Sequence, residues 1–401
     1  MTSLRRACLH IMLLMPQNVL PMRRCRWNAA LLAIALTATC SITSAEEPSD
    51  NKPTYPLWDG QESVEQYAKK VNLPATQTLE LGNGIKMELV LIPAGKFIMG
   101  TPEPKPVDEA VFQKQIVTGQ ALLAIGGVAL VVMLVVVVVQ ARRNKRRLQV
   151  SLLLLLLVTV AAGGAVLSIV HWRQSAKGLE AAKTEYAAAQ GRFQRANDTE
   201  KPAHPVMLTK PFYVGKFPVT QEQYQQVIGK NPSNFIGKDN PVEQVSWDDA
   251  QTFCKKLTDQ TKQSVRLPTE AEWEYSCRAG TTTVYYSGDT EADLARAAWH
   301  LENSKGATHP VGQKEANAFG LYDMHGNVYQ WCQGWYAEDY YRKSEAENPQ
   351  GPAQGTDRLL RGGSWFNISL YCRSAYRRRI APGSRDFDVG FRVVVPAFRT
   401  Q

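Results

Sequence analysis

The alternation of apolar and polar residues predicts short strands in the first third of the chain. Between Leu79 and Met99, apolar and polar positions alternate around three glycines. A period of two is typical of half-buried strands, so we expect two or three short strands here. The preceding segment, residues 46–75, is rich in Pro, Asp and Glu near its start and is predicted to be a linker.

Two long apolar segments then interrupt this pattern. Residues 116–139 and 150–170 carry no charge, and each is long enough to cross a bilayer. The intervening residues 140–149 hold a block of Arg and Lys, which predicts a cytoplasmic loop. Residues 103–197 are therefore predicted to be an insertion that forms a transmembrane hairpin. Its last part, residues 175–197, is alanine-rich and predicted to be helical.

Helical periodicity returns after this insertion. Three serine or threonine residues precede an acidic or amide residue by three positions, the pattern of a capping box. These pairs are Thr220 with Gln223, Ser246 with Asp249, and Thr269 with Glu272. Beyond them, short apolar runs are separated by Gly, Asn and Asp without alternating strand and helix units. The pattern predicts an α+β fold with much irregular structure.

The N-terminal residues 1–45 are predicted to be a signal peptide. A basic start, an apolar stretch and small residues before Ala45 form the usual order of such a signal, and Met22 is an alternative start. Together with the cytoplasmic loop, this signal predicts a protein of the inner membrane. The globular part would then lie on the periplasmic or extracellular side.

The positive net charge comes from two short segments outside the predicted folded domain. Five arginines of the leader and five basic residues of the 140–149 region contribute ten of the positive charges. Removing these ten from the formal charge of +9 leaves −1 for the rest of the chain. The folded part is nearly neutral, so we expect no nucleic-acid partner.

Cys372 is the candidate reactive residue. Arginines cluster around it, and Arg373, Arg377 and Arg385 are candidates for binding an anionic ligand. Nearby cations would lower the pKa of the thiol. In the alternative interpretation, the arginines stabilise the fold through carboxylate pairs, and Cys372 is buried or disulfide-bonded. Three further cysteines lie beyond the leader, Cys254, Cys277 and Cys332, and three pairings are open.

Several long motifs give a family resemblance. RGGSW at 361–365, CRSAYR at 372–377 and GFRVV at 390–394 follow RLPTEAEWEYSCRAG at 266–280 and NAFGLYDMHGNVYQWC at 317–332. In this order they resemble the formylglycine-generating enzyme, or sulfatase-modifying factor, family. The resemblance implies an elaborated C-type-lectin-like fold. Its first part would span residues 76–102 and its main part residues 198–401.

The same resemblance implies a site. Enzymes of this family oxidise a protein cysteine to formylglycine with molecular oxygen and copper held by two cysteines. The second cysteine matches Cys372, whereas the first falls on Asn367, whose amide cannot replace a thiolate as a soft copper ligand. Ser364, Tyr371 and Tyr329 match other positions of the pocket.

The resemblance also implies a calcium site. Asp323 would provide a side-chain oxygen, Gly326 and Val328 backbone carbonyls, and Gln330 an amide oxygen where the enzymes have glutamate. Oxygen ligands at this spacing suit calcium, although the change from Glu to Gln removes a charge. The alternative is an ordinary turn rich in Asp and Asn.

Three functions are consistent with the sequence. The first is a membrane-anchored, extracytoplasmic oxidase of an exported protein or peptide. The second is a non-catalytic lectin-like binding module for a peptide or anionic ligand. The third is a structural protein of the bacterial envelope.

Overall fold

The computed structural model describes residues 55–104, 106–143, 148–195 and 198–398. The predicted signal peptide lies outside these residues. Seven helices are described: α1 (Val64–Val71), α2 (Glu109–Arg143), α3 (Leu148–Arg195), α4 (Gln221–Ile228), α5 (Trp247–Thr261), α6 (Glu270–Arg278) and α7 (Glu291–Ala297). Three short 3₁₀ turns lie at Asp198–Glu200, Tyr340–Arg342 and Ser369–Cys372.

Ten strands accompany the helices. They are β1 (Thr76–Gly82), β2 (Ile85–Ile92), β3 (Gly95–Met99), β4 (His204–Leu208), β5 (Phe212–Gly215), β6 (Tyr329–Trp335), β7 (Arg358–Arg361), β8 (Arg378–Ile380), β9 (Val389–Gly390) and β10 (Val394–Pro396). The strands predicted between Leu79 and Met99 are confirmed as β1, β2 and β3. Asn83 and Gly84 join β1 to β2 with positive φ angles of 53° and 78°, as a two-residue hairpin turn requires.

The strands form three small sheets. The first has the order β1-β2-β5-β10, the second pairs β3 with β4, and the third has the order β8-β7-β6-β9. All pairings between these ten strands are antiparallel except β6 with β9, where Tyr329 pairs with Val389. Helices and long irregular connections cover the sheets, so the predicted α+β class is confirmed.

Helices α4, α5 and α6 begin at the residues that the sequence indicates. Thr220, Ser246 and Thr269 each accept a hydrogen bond from a backbone N–H three residues on, and the residue there bonds back to the cap. Such a cap stabilises a helix by about 1 kcal/mol. Gly229 ends α4 with a φ of 91°, a left-handed conformation that glycine adopts without strain.

The predicted linker carries structure in its second half. Helix α1 lies within it, and the side chain of Tyr67 is fully buried in the core. The hydroxyl of Tyr67 donates to the carbonyl of Pro56 at 2.8 Å and accepts from the N–H of Ala94 at 3.1 Å. Residues from about 55 onward therefore belong to the folded domain.

Helices α2 and α3 form a hairpin at the predicted insertion. They pack on each other, with contacts between Lys183 and Glu109 and between Ser175 and Gln115. Among the residues that the structure describes, however, no helix combines the length and apolar character needed to cross a membrane. The transmembrane assignment of residues 116–139 and 150–170 is thus not supported.

The two ends of the hairpin meet where the chain leaves and re-enters the domain. The backbone N–H of Thr101, before α2, donates to the carbonyl of Glu200, after α3, at 3.1 Å. The Thr101 hydroxyl also donates to the Glu200 carboxylate at 2.9 Å. We call this contact the hairpin root. Because the chain leaves and re-enters the domain at neighbouring residues, the insertion does not force the two parts of the domain apart.

Candidate functional site

Several residues that the sequence singles out line one pocket. Tyr329 begins β6, Tyr371 lies in the third 3₁₀ turn, and Asn367 precedes that turn. All three line a cavity of about 420 Å³. Phe366, Tyr376 and Phe387 complete its aromatic walls, and Arg378, Asp386 and Asp388 supply its charges. We call this cavity the aromatic pocket.

Ser364 lies beneath the aromatic pocket in a hydrogen-bonded chain. Its hydroxyl oxygen is 2.7 Å from Asn367 Oδ1 and 2.8 Å from Asp388 Oδ2. A hydroxyl has one proton to donate, so Ser364 donates to one of these two acceptors at a time. Burial raises the pKa of Asp388, against the opposing effects of Arg378 and of the hydrogen bond with Ser364.

Exposed apolar side chains concentrate around this pocket. Phe366 is 52% exposed, and Tyr371 and Phe387 are also exposed. Phe366 and Phe387 pack edge to face at 5.6 Å. Leu301 and Ile368 are exposed beside them, and the Leu301 N–H donates to the carbonyl of Asn367, the residue before Ile368. A contiguous exposed apolar rim is typical of a binding surface.

Cys372 does not face the aromatic pocket. Its side chain is fully buried and packs against Tyr285, Leu294 and Ala298. Burial raises the pKa of the Cys372 thiol to about 12. The prediction that surrounding arginines lower this pKa is therefore wrong, because desolvation of the thiolate outweighs distant charges.

None of the cysteines in the described residues forms a disulfide. Cys254, Cys277, Cys332 and Cys372 are all free and buried. Burial also raises the pKa of Cys254 and of Cys277 to about 12. These thiols pack as small apolar side chains.

The copper centre of the resembling enzymes does not fit these residues. A Cu(I) site of that kind needs two converging thiolates. Here one position holds a protonated, buried thiol, and the other holds Asn367, whose amide oxygen is hydrogen-bonded to Ser364. In the described ranges no three side chains of the types His, Cys, Asp and Glu converge on a possible metal position.

Arg373 binds Glu200 of the hairpin root. Its guanidinium forms two hydrogen bonds with the Glu200 carboxylate, at 2.6 and 2.7 Å, and both side chains are buried. Arg373 also borders a second cavity of about 480 Å³, which is lined by residues 100–104 and by the other side of the 3₁₀ turn. The turn Ser369–Cys372 thus separates this cavity from the aromatic pocket.

The other two predicted arginines lie elsewhere. Arg377 is buried and donates to the Glu270 carboxylate at 2.6 and 3.1 Å. Arg385 is exposed and pairs with Asp249 at 2.8 Å. Because all three arginines have carboxylate partners and do not converge, the structure matches the interpretation that they stabilise the fold.

Sequence reasoning missed a buried charge cluster behind these residues. Arg361 is fully buried, pairs with Glu274 and donates to the carbonyls of Ser374, Ala375 and Tyr376. Burial alone would raise the pKa of Glu274, but Arg278 and Arg361 hold it below its ordinary value. The signal available in the sequence is that Glu272 and Glu274 alternate with Trp273 and Tyr275, which leaves the helix without a purely polar face.

Two of the calcium ligands predicted near the start of β6 are in contact, since Gln330 Nε2 donates to the Asp323 carbonyl, but their side-chain oxygens are already hydrogen-bonded. Gln330 Oε1 accepts from Trp273 Nε1 at 2.8 Å and from Arg392 Nε at 2.6 Å. Asp323 Oδ2 accepts from the Gly312 N–H at 2.8 Å. The oxygen that Gln330 would offer to calcium is therefore already shared by two donors, and the residues present do not fit the ion.

Comparison with known proteins identifies a family for the main part of the chain. A sequence model described as the sulfatase-modifying factor enzyme 1-like domain matches residues 175–397. The formylglycine-generating enzyme of Streptomyces coelicolor is 35% identical over 176 residues, 40% of this chain and 54% of that enzyme. The serine/threonine-protein kinase pkn1 of Chlamydia caviae is 34% identical over 233 residues, 50% of this chain and 36% of that kinase.

A solved structure shares the fold. Treponema denticola variable protein 1 superposes with a TM-score of 0.54 at 24% identity, covering 80% of this chain and 99% of that one. The chain spans only about a third to a half of the length of the kinase and the enzyme, so their whole activities do not transfer with the match. The family model covers more than half of the chain, and the chain therefore belongs to the family of sulfatase-modifying factor enzyme 1-like domains.

Proposed function

We propose that this protein is a ligand-binding member of its family that does not carry out copper-dependent cysteine oxidation. The observation that carries this proposal is the state of Cys372. Its thiol is fully buried, its pKa is raised to about 12 by desolvation, and Asn367 stands at the position of the first copper cysteine. A protonated thiol and an amide do not make a soft two-thiolate copper centre.

The aromatic pocket is the binding site in this proposal. Exposed aromatic side chains supply contact area at low entropic cost and are enriched at the centres of interfaces. The pocket also holds a small number of polar groups, Asn367 among them, which can fix the orientation of a bound peptide. An apolar or aromatic peptide side chain therefore suits it.

An anionic ligand suits the pocket less well. The lining carries two aspartates and one arginine, and Arg378 lies 3.4 Å from each of Asp386 and Asp388. The guanidinium of Arg378 is also stacked over the ring of Tyr329 at 4.6 Å. Because the one pocket cation already has partners, an anion would have to displace them.

The first experiment tests for copper binding and for oxidation of a peptide cysteine. The purified protein is loaded with Cu(I) under reducing conditions and incubated in air with a cysteine-containing sulfatase peptide, and the peptide is then analysed by mass spectrometry. We expect no stoichiometric copper and an unchanged peptide mass. Iodoacetamide at pH 8 should leave Cys372 unmodified in the native protein and alkylate it after unfolding. Aldehyde formation that disappears in Cys372→Ala would overturn the proposal.

A second experiment tests for binding. A synthetic peptide library containing apolar and aromatic residues is screened by fluorescence anisotropy against the native protein and against Phe366→Ser. We expect that substitution to weaken binding at least tenfold. Ile98→Ser is the matched control, since Ile98 is a similarly exposed apolar residue outside the pocket. Equal losses in the two variants would mean that the aromatic pocket is not the binding site.

The oxidase remains the second candidate function. It is favoured by the placement of Tyr329 and Tyr371 in the aromatic pocket, with Ser364 hydrogen-bonded to Asn367 of its lining. Relatives named formylglycine-generating enzyme, from mouse and Streptomyces coelicolor, match at 32% and 35% identity. The copper and peptide experiment above separates the two candidates directly.

An extracytoplasmic location is part of the same proposal. It rests on the signal-like order of residues 22–45, and an exported protein or peptide is then the natural class of ligand. Anchoring in the inner membrane is not carried forward, because the described helices give it no support. Fractionation of cells producing the full chain tests the location, and recovery only with cytoplasmic marker proteins would contradict it.

A further inference from the structure

The side chain of Gln330 has an orientation that the hydrogen-bond network fixes. Trp273 Nε1 and Arg392 Nε can only donate, so the atom that faces both must be the amide oxygen of Gln330. The amide nitrogen then points the other way, where it donates to the carbonyl of Asp323 at 2.8 Å. All four residues are buried, so water does not offer an alternative set of partners.

This orientation decides what the predicted calcium position can offer. A glutamate at residue 330 would have a second oxygen where Gln330 has its N–H₂ group. That oxygen could bind a cation while the first still accepted from Trp273 and Arg392. The glutamine instead presents a donor toward Asp323, and a donor cannot act as a metal ligand.

The charges of the site lead to the same conclusion. Arg392 is fully buried and donates to the carbonyls of Gly215, Tyr322 and Asp323 at 2.8, 2.7 and 3.2 Å. Its guanidinium is positively charged at neutral pH. Asp323, the one acidic candidate ligand, balances this single positive charge. A calcium ion would therefore add two uncompensated charges to a buried site.

We propose that the amide of Gln330, held in place by Trp273 and Arg392, closes the 323–330 loop in the position of a calcium ion. The hydrogen bond from Gln330 to the Asp323 carbonyl links the two ends of the loop that metal coordination would otherwise link. A second set of hydrogen bonds also holds the loop, because the Asn327 side chain joins Asp323 to the backbone of His309. The domain accordingly folds without calcium.

The same geometry makes residue 330 the determinant of metal dependence. Gln330→Glu exchanges the inward donor for an oxygen and adds one negative charge beside Asp323. In the absence of a cation, two buried carboxylates would then compete for one arginine, and the fold should weaken. With calcium bound, the two carboxylates and the backbone oxygens satisfy a hard cation.

The test is thermal unfolding of the full chain in EGTA and in millimolar calcium. For the native sequence we expect the same Tm in both solutions, within about 1 °C. For Gln330→Glu we expect a lower Tm in EGTA and an increase of about 5 °C or more on adding calcium, since a ligand that binds only the folded state stabilises it. Isothermal titration with calcium chloride should show binding for the variant only.

Two controls keep the outcome interpretable. Gln333→Glu makes the same chemical change three residues along β6 and should give no calcium response. Gln330→Met removes the amide without adding charge, so it should lower the Tm equally in both solutions. A calcium-dependent Tm in the native protein would overturn the proposal even if no variant folds, as would a folded Gln330→Glu that ignores calcium.

Discussion

At the scale of single residues, pairing of buried charges explains most of what the arginine-rich C-terminal segment does. Arg361, Arg373 and Arg377 are buried and each meets a glutamate from another part of the chain. Burying a guanidinium is unfavourable unless its charge and its N–H groups are satisfied. These residues are therefore structural, although their clustering in sequence also matches an anion-binding site.

Arg361 should be the most sensitive of these arginines. Arg361→Met would leave Glu274 with Arg278 as its one remaining cation and free three backbone carbonyls. We expect the free energy of unfolding to fall by about 3–5 kcal/mol, the usual effect of breaking a buried pair. Urea denaturation followed by tryptophan fluorescence measures it.

The control for this prediction is Arg379→Met. Arg379 is exposed and pairs with Asp357 at 3.5 Å, and removing such a surface pair changes stability by about 0–1 kcal/mol. Similar losses in the two variants would mean that burial does not distinguish these arginines.

Glu243 should make stability depend on pH. Its side chain is fully buried, and Oε2 has no hydrogen-bond partner in the part of the chain that the structure describes. Desolvation raises its pKa to about 7 from an ordinary value of 4.5. The folded protein thus keeps this proton to higher pH than the unfolded chain, so stability falls as pH rises from about 4 to 7 and is then level.

Glu243→Gln removes this titration and keeps an acceptor for the Phe235 N–H. We compare the free energy of unfolding of the variant with that of the native protein at each pH. We expect this difference, variant minus native, to be about 2 kcal/mol larger at pH 8 than at pH 5. Denaturation midpoints at the two pH values measure the difference. The exposed Glu345→Gln serves as the comparison, and an equal effect of Glu243→Gln at both pH values would contradict the interpretation.

At the scale of elements, the hairpin root links the insertion to the 3₁₀ turn beside the aromatic pocket. Glu200 receives two bonds from Arg373, which follows the turn directly, and one from Thr101. The Arg377 guanidinium also donates to the carbonyl of Thr199 at 2.8 Å. A single buried carboxylate thus holds three separate segments together.

Glu200→Gln should loosen this junction specifically. The substitution keeps the size of the side chain but leaves Arg373 buried without its negative partner, so local opening becomes easier. We expect faster hydrogen exchange in residues 100–104 and 369–375. Asp198→Asn, which alters an exposed pair with Lys201, should leave the exchange there unchanged. No change in the Glu200 variant would show that the root does not depend on this ion pair.

Local elements were predictable because their signals are local. The strands between Leu79 and Met99 and the three capped helices follow from periodicity and from short-range hydrogen bonds. Helix α1 was missed because its polar sequence resembles a linker, and what stabilises it is the burial of Tyr67 against distant residues. The pairing of Glu200 with Arg373 joins residues 173 positions apart, a contact that no local pattern specifies.

The site was predictable only in part for the same reason. The family motifs predicted Ser364, Tyr329 and Tyr371 as pocket residues; in the structure Tyr329 and Tyr371 line the aromatic pocket, and Ser364 is hydrogen-bonded to Asn367 of its lining. The environment of Cys372 depends on Tyr285, Leu294 and Ala298, which come from a separate part of the chain. Whether a cysteine is surrounded by arginines or by apolar side chains is therefore decided by packing rather than by sequence neighbours.

At the scale of the whole molecule, the insertion is joined to the domain through a narrow connection. Helices α2 and α3 pack mainly on each other, and the chain enters and leaves them at two residues in direct hydrogen-bond contact, Thr101 and Glu200. Closing a short loop between such neighbouring ends has a small entropic cost. The core of the domain should not require the hairpin.

Replacing residues 106–195 by a flexible linker of about six Gly and Ser residues tests this independence. We expect a soluble domain whose Tm lies within about 5 °C of the full-length protein, because the root contacts of Thr101 and Glu200 are retained. Circular dichroism and differential scanning fluorimetry give the comparison. A variant that fails to fold would show that the hairpin contributes to the core.

The buried charge cluster constrains how this sequence can change over time. Arg361 pairs with both Glu270 and Glu274, and Arg377 pairs with Glu270, at N–O separations of 4.0 Å or less. Losing one member alone leaves an uncompensated charge, whereas replacing a complete pair by apolar residues of similar volume is often neutral. These positions should therefore be inherited together or exchanged together, and descendants with one partner missing should be rare.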